Sequence, residues 1–126
     1  MPDLAVEITG FVAGDDLEIR RTVTGLPAAI DVAWLTVKLH HAQADGEARL
    51  QKRITTTNVP GTGWIVEAGG PGSDGDLRFD LTPEDTTSLG VKKFVHDIQI
   101  KLNDGKVYTI EKGTIQLTAD VTETTT

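Results

Sequence analysis

Three histidines, a run of aspartates, two serines and two tryptophans are the side chains with types that could do chemistry, and their spacing decides how much. His40 and His41 are adjacent. Neighbours in a strand point to opposite faces, so this pair does not close on one metal ion. His96 shares parity with Phe94 and Ile98. That places it on the core face or its rim, as a hydrogen-bonded packing residue rather than a ligand. Asp74, Asp76 and Asp80 sit in "SDGDLRFD". A calcium loop needs oxygen ligands at closer spacing and a distal bidentate Glu, so these acids read as the solvated edge of a loop flanking a strand.

Ser73 and Ser88 are the only serines, and neither lies in a Gly-x-Ser-x-Gly elbow. "GTGW" and "AGGPG" lack the Lys and following helix of a phosphate loop. Nothing singles out a carboxylate pair for glycoside hydrolysis. Trp34 and Trp64 are candidates for a sugar-binding surface, but with aromatics at 5% of the chain core packing is the favoured reading. There is no Cys, which removes thiol catalysis, thiolate metal sites and disulfides. The expectation is a chain with no catalytic residues, no metal and no cofactor.

The totals point the same way. A chain of 126 residues is long enough for one domain with a real core and too short for two. Its net charge of -7 argues against nucleic acid and against an anionic membrane surface, both of which reward clustered Lys and Arg. No apolar run approaches the roughly 20 residues of a membrane span. "MPDLAVEITG" has acids where a signal peptide needs a basic start. The chain reads as made and kept in a cytoplasm until assembly.

The elements that must position these residues are strands. Leu4, Val6 and Ile8 alternate with polar or small residues, and so do Leu17, Ile19 and Val23, then Ala33, Leu35, Val37 and Leu39. Leu50 and Ile54 mark a more polar strand, Trp64 and Val66 a short one, and Leu77, Phe79 and Leu81 another. Short alternating runs bounded by turn residues are the signature of strands. The breaks "AGDD", "TGLPAA", "QADGE", "NVPGTG" and "AGGPGSDGD" carry Gly, Pro, Asp and Asn. "AGGPGSDG" is expected to be a mobile loop and the tail "TETTT" a frayed end. In "TPEDTTSLG", Thr82 is a candidate N-cap with Pro83 at the first helical position, predicting a single helical turn over 83–89 that ends near Gly90. Seven to nine short strands with polar turns give an all-β class, an antiparallel sandwich or a small barrel.

Register can be argued for "VHDIQIKLNDGKVYTIEKGTIQLTADVT". A two-residue Asp104-Gly105 turn would set Ile100 opposite Thr109 and Ile98 opposite Glu111. A three-residue loop, Asn103-Asp104-Gly105 with Gly105 left-handed, sets Ile100 opposite Tyr108 and Ile98 opposite Ile110. Apolar on apolar favours the second. Past Ile110 the apolar parity shifts to Ile115 and Leu117, so one residue must be inserted. A bulge, with the strand bending at Gly113, is preferred to a turn because Lys-Gly is a weak hairpin dipeptide.

The succession "GDDLEIRRTVTGLPAAIDVAWLTVKLH", "LRFDLTPEDTTSLG" and "FVHDIQIKLNDGKVYTIEKGTIQLTADVT" resembles the immunoglobulin-like domains of tailed-bacteriophage virion proteins, such as the N-terminal domain of phage upper baseplate proteins. The matching pieces are Gly14-Asp15, Leu81 to Leu89, Asp97-Ile98-Gln99, Asp104 to Thr109, Lys112-Gly113 and Asp120 to Thr122. His96 stands where that group usually has Tyr. The likeness implies an immunoglobulin-like sandwich over 1–121 with a flexible tail over 122–126. It implies a non-enzymatic virion component of the tail, baseplate or neck, present in multiple copies and bound to other virion proteins. A capsid decoration or minor head protein of the same fold is the runner-up, and a carbohydrate-binding module the third reading. The candidate assembly contacts are Gly61, Thr62, Gly63 and Trp64 in one loop, Gly69, Gly70, Pro71 and Gly72 in another, and the tail from Thr122 to Thr126.

Overall fold

The computed structural model describes residues 5–12, 16–39, 49–91 and 93–118, with residues 5–12 and 118 described as backbone only. The strands are β1 (Ala5–Val12), β2 (Leu17–Val23), β3 (Ile30–Lys38), β4 (Leu50–Ile54), β5 (Gly63–Glu67), β6 (Gly75–Leu81), β7 (Lys93–Leu102) and β8 (Val107–Thr118). The helix α1 (Pro83–Leu89) lies between β6 and β7. One sheet runs in the order β1-β8-β7-β3-β4 and the other in the order β2-β6-β5. Every pairing is antiparallel except that of β1 with β8, which is parallel. The chain is an all-β sandwich with one short helix, and its strand order follows the immunoglobulin pattern, with the second, fifth and sixth strands forming one sheet.

Alternation supplies the core. On β2 the residues Leu17, Ile19 and Val23 are buried, on β6 Leu77, Phe79 and Leu81, and on β7 Phe94, Ile98, Ile100 and Leu102. Central strand β3 lies between β7 and β4, and it buries Ala33, Leu35 and Val37 inward while Val32, Thr36 and Lys38 are also nearly inaccessible. On β5 the expected apolar parity is reversed. Ile65 is the buried residue, whereas Trp64 is half-buried and Val66 exposed on the outer face. Close approach of β6 sets this parity. A Cβ on Gly63 would lie 2.0 Å from the Arg78 carbonyl oxygen, so only glycine lets β5 start there, with Gly63 inward.

The β7–β8 hairpin has the expected three-residue loop. The Gly105 amide donates to the Leu102 carbonyl at 2.9 Å, Gly105 has φ +89°, and Ile100 faces Tyr108. The bulge lies elsewhere than expected. Gln99 pairs with Thr109 and Ile98 with Glu111, so Ile110 is the inserted residue and Ile98 does not face it. Gly113 is an ordinary ladder position opposite His96, and β8 runs through it without a break. Burial of the successive residues Ile110 and Glu111 explains the placement, because the bulge keeps Ile110 inside and turns Glu111 onto the core face.

Two loop expectations are also corrected. Within "AGGPGSDG", Gly70 and Ser73 exchange backbone hydrogen bonds of 3.3 and 3.0 Å around Pro71 and Gly72. With Pro at the second position and Gly72 at φ +85°, this is a defined type II turn rather than a structureless loop. Asp76 and Asp80 lie within β6, where Asp76 accepts from Thr22 at 2.8 Å and Asp80 from Arg78 at 3.0 Å. The helix matches its sequence signals. The Asp85 amide donates to the Thr82 hydroxyl at 3.2 Å, the Thr82 amide donates to the Asp85 carboxylate at 2.9 Å, and Gly90 closes the end.

Candidate functional site

The strand directions bring three connections to one end of the sandwich: 24–29 between β2 and β3, 68–74 between β5 and β6, and the hairpin loop 103–106. Backbone hydrogen bonds knit them. The Ile30 amide donates to the Ala68 carbonyl and the Asn103 amide to the Ala29 carbonyl, both at 2.9 Å. Leu26 anchors the central connection in the core, and Gly75 is close-packed on Leu26 and Ile30. The exposed outer tier is Thr24, Gly25 and Pro27, then Pro71 to Asp74, then Asn103 to Lys106. Of the loop residues singled out from the sequence, Pro71 and Gly72 are exposed here, Gly69 is half-buried and Gly70 buried. Asn103, Asp104 and Gly105 join the same surface, with the Asp104 carboxylate accepting the Lys106 amide at 2.9 Å. The surface is mostly small residues on hydrogen-bonded backbone, with Asp74, Asp104 and Lys106 as its charged side chains.

Gly61 to Trp64 lie at the opposite end. The Gly61 carbonyl accepts Lys52 Nζ at 2.9 Å, and the Thr62 carbonyl accepts the Asp80 amide at 3.0 Å. Lys52 Nζ also pairs with Asp85 at 2.6 Å. Burial raises the Asp85 carboxyl, but hydrogen bonds from Lys52 and Thr82 outweigh it and hold the group below its ordinary value. This bracket fastens β4, the turn before β5 and α1 together. Gly61–Trp64 therefore do not join the knit loop end, and Gly63 is buried.

Between the sheets lies a charged cluster that sequence reasoning missed. Arg21 shares the inward parity of Leu17, Ile19 and Val23. Its Nε donates to Glu111 Oε1 at 2.5 Å and its Nη2 to Oε2 at 3.2 Å. His96 Nε2 lies 2.6 Å from Glu111 Oε2. A carboxylate only accepts, so Nε2 carries the proton. His96 Nδ1 is buried without a hydrogen bond to any described residue. Burial raises the Glu111 carboxyl; hydrogen bonds from His96 and Arg21 and their charges bring it below its ordinary value. The cluster ties the β2 sheet to β7 and β8, the span that a disulfide often bridges in immunoglobulin domains. Arg21 at core parity was the signal for it.

Trp34 is half-buried on the outer face of the larger sheet and Trp64 half-buried on that of the smaller. His40, His41, Gly14, Asp15 and the tail Thr122 to Thr126 lie outside the described residues. Among the described residues no group of three or more His, Asp or Glu side chains is placed to hold a metal ion, and no helix is long and apolar enough to cross a membrane. Comparison with known proteins finds no protein-family model that matches the chain and no curated protein that matches it.

Proposed function

We propose that the chain is a non-enzymatic structural component of a tailed-phage virion, held in the tail, baseplate or neck by contacts through the knit loop end of its sandwich. The observation that carries this reading is that end. Three connections distant in sequence are bonded backbone to backbone into one presented surface, made of small residues and glycines in left-handed conformations. A surface already ordered loses little conformational entropy on docking. The segments that carry the resemblance to phage virion domains support the reading in a second way. Leu81 to Leu89 ends β6 and forms the capped helix, Asp97 to Gln99 lies at the centre of β7, and Asp104 to Thr109 is in the hairpin of the loop end. Decoration of the head by the same fold uses the same contacts, and differs only in the sub-assembly that retains the protein.

The test is mass spectrometry of purified particles of the phage that encodes the chain, with heads and tails separated. The reading expects many copies per particle, in the tail fraction. Recovery with heads transfers it to decoration. Recovery only as free protein in the lysate overturns it.

A further inference from the structure

Among the described residues, the outer face of the larger sheet carries a ring set among paired amides. Trp34 on β3 is flanked in register by Gln99 on β7 and Arg53 on β4. Gln99 Nε2 donates to Thr109 Oγ1 at 3.2 Å, and Gln51 Nε2 donates to Thr36 Oγ1 at 3.1 Å. Both are cross-strand partners in the ladder. Each amide is pinned through its nitrogen to a hydroxyl on the neighbouring strand, which leaves its carbonyl oxygen as an oriented acceptor. Trp34, Gln51, Gln99 and Val107 line a shallow depression of about 270 Å³. All four are uncharged, and Val107 is 53% exposed at its side.

We propose that this depression is a binding site for a neutral saccharide. A pyranose presents an apolar face of C–H groups and a rim of hydroxyls that both donate and accept. The indole supplies a flat apolar partner for the face, and the two glutamine carbonyls supply fixed acceptors for the rim. The four lining side chains carry no charge and suit a neutral ligand, with Arg53 in register beside the ring as a cationic neighbour. One half-buried ring and one valine are far smaller than the roughly 800 Å² per partner of a stable protein interface, which favours a small ligand over a second protein. Trp64 provides the internal contrast. Its registered neighbour is Arg78, which pairs with Glu18 at 2.9 Å and Asp80 at 3.0 Å, and among the described residues no such pair of amides flanks it in the ladder. This inference does not rest on the virion reading.

The experiment is a two-dimensional amide NMR titration of the whole chain with neutral cello-, malto-, chito- and galacto-oligosaccharides at millimolar concentration. At least one should give saturable shifts on β3, β4 and β7. Trp34→Ala should weaken that binding by about tenfold or more and Gln99→Ala by about threefold, the scale of one lost stacking or polar contact, while Trp64→Phe binds as the native chain does. If Trp34→Ala does not fold, Trp34→Phe and Gln99→Ala carry the test. Absence of saturable shifts with every sugar overturns the proposal. So does undiminished binding by the Gln99 and Trp34 variants, and so do concentration-dependent shifts of the same residues without sugar, which would identify a second copy as the occupant.

Discussion

Glu111 has the greatest consequence of any single side chain here. It is 3% exposed, carries a charge between the sheets, and is held by Arg21 and His96. Removing one partner of a buried pair strands the other, at a cost of about 3–5 kcal/mol. Arg21→Met should therefore lower stability toward the lower end of that range, because Arg21 is partly exposed, and Glu111→Gln should do so as well. Replacing Arg21 and Glu111 together by Met and Leu should recover most of the loss, measured by urea unfolding as a double-substitution cycle. The pH dependence follows from the same group. Its folded carboxyl titrates below the ordinary 4.5. The stabilisation is complete above that value and is lost as pH falls through the folded one. Asp85, held below its ordinary 3.8, acts in the same direction. The melting temperature should fall with acidification below about pH 4.5, and less steeply in Glu111→Gln. Arg21 was legible at a core parity in the sequence. Glu111 was not, because alternation counted from Tyr108 puts it outside, and only the bulge at Ile110 brings it in.

At the scale of elements, the hairpin was readable because apolar pairs discriminate its two registers. Only the three-residue loop sets Ile100 against Tyr108. Gly105→Ala, at φ +89° with open space around it, should cost about 1 kcal/mol of backbone strain. Ile100→Ala should cost about 2–4 kcal/mol through lost burial and a cavity. Thermal and urea melts read both. Gly63→Ala should be more severe than Gly105→Ala, because its Cβ meets backbone that cannot turn aside. Thr82→Ala should cost about 1 kcal/mol as a lost cap. The helix was equally legible, since cap, Pro and acids fall at fixed offsets. The bulge was not. A shift of apolar parity shows that a residue is inserted somewhere between Ile110 and Ile115, but which one depends on where Arg21 of another strand needs a carboxylate. The turn at Gly70–Ser73 was overlooked because a Gly-rich composition suggests mobility, while Pro71-Gly72 encodes a specific type II geometry.

For the whole molecule, alternation and turn spacing were enough for an all-β class, since each run states its period locally, but they left a sandwich and a small barrel both open. They could not say which loops meet. "TGLPAA" and "AGGPGSDGD" share an end with the hairpin, and "NVPGTG" does not, because strand order rather than sequence distance decides neighbours. Substitutions at exposed tips of that end, Pro71→Lys and Asn103→Lys, should change stability by no more than about 1 kcal/mol yet lower incorporation into particles. Cross-linking mass spectrometry on purified virions tests the central claim most directly, because it reads presence and orientation together. Lys106 lies on the knit end, while Lys93 and Lys112 are exposed elsewhere on the larger sheet. The account predicts that the protein is in the particle and that Lys106 gives the predominant cross-links to other virion proteins. A particle without the protein, or one in which Lys93 and Lys112 form the intermolecular links and Lys106 forms none, would contradict it.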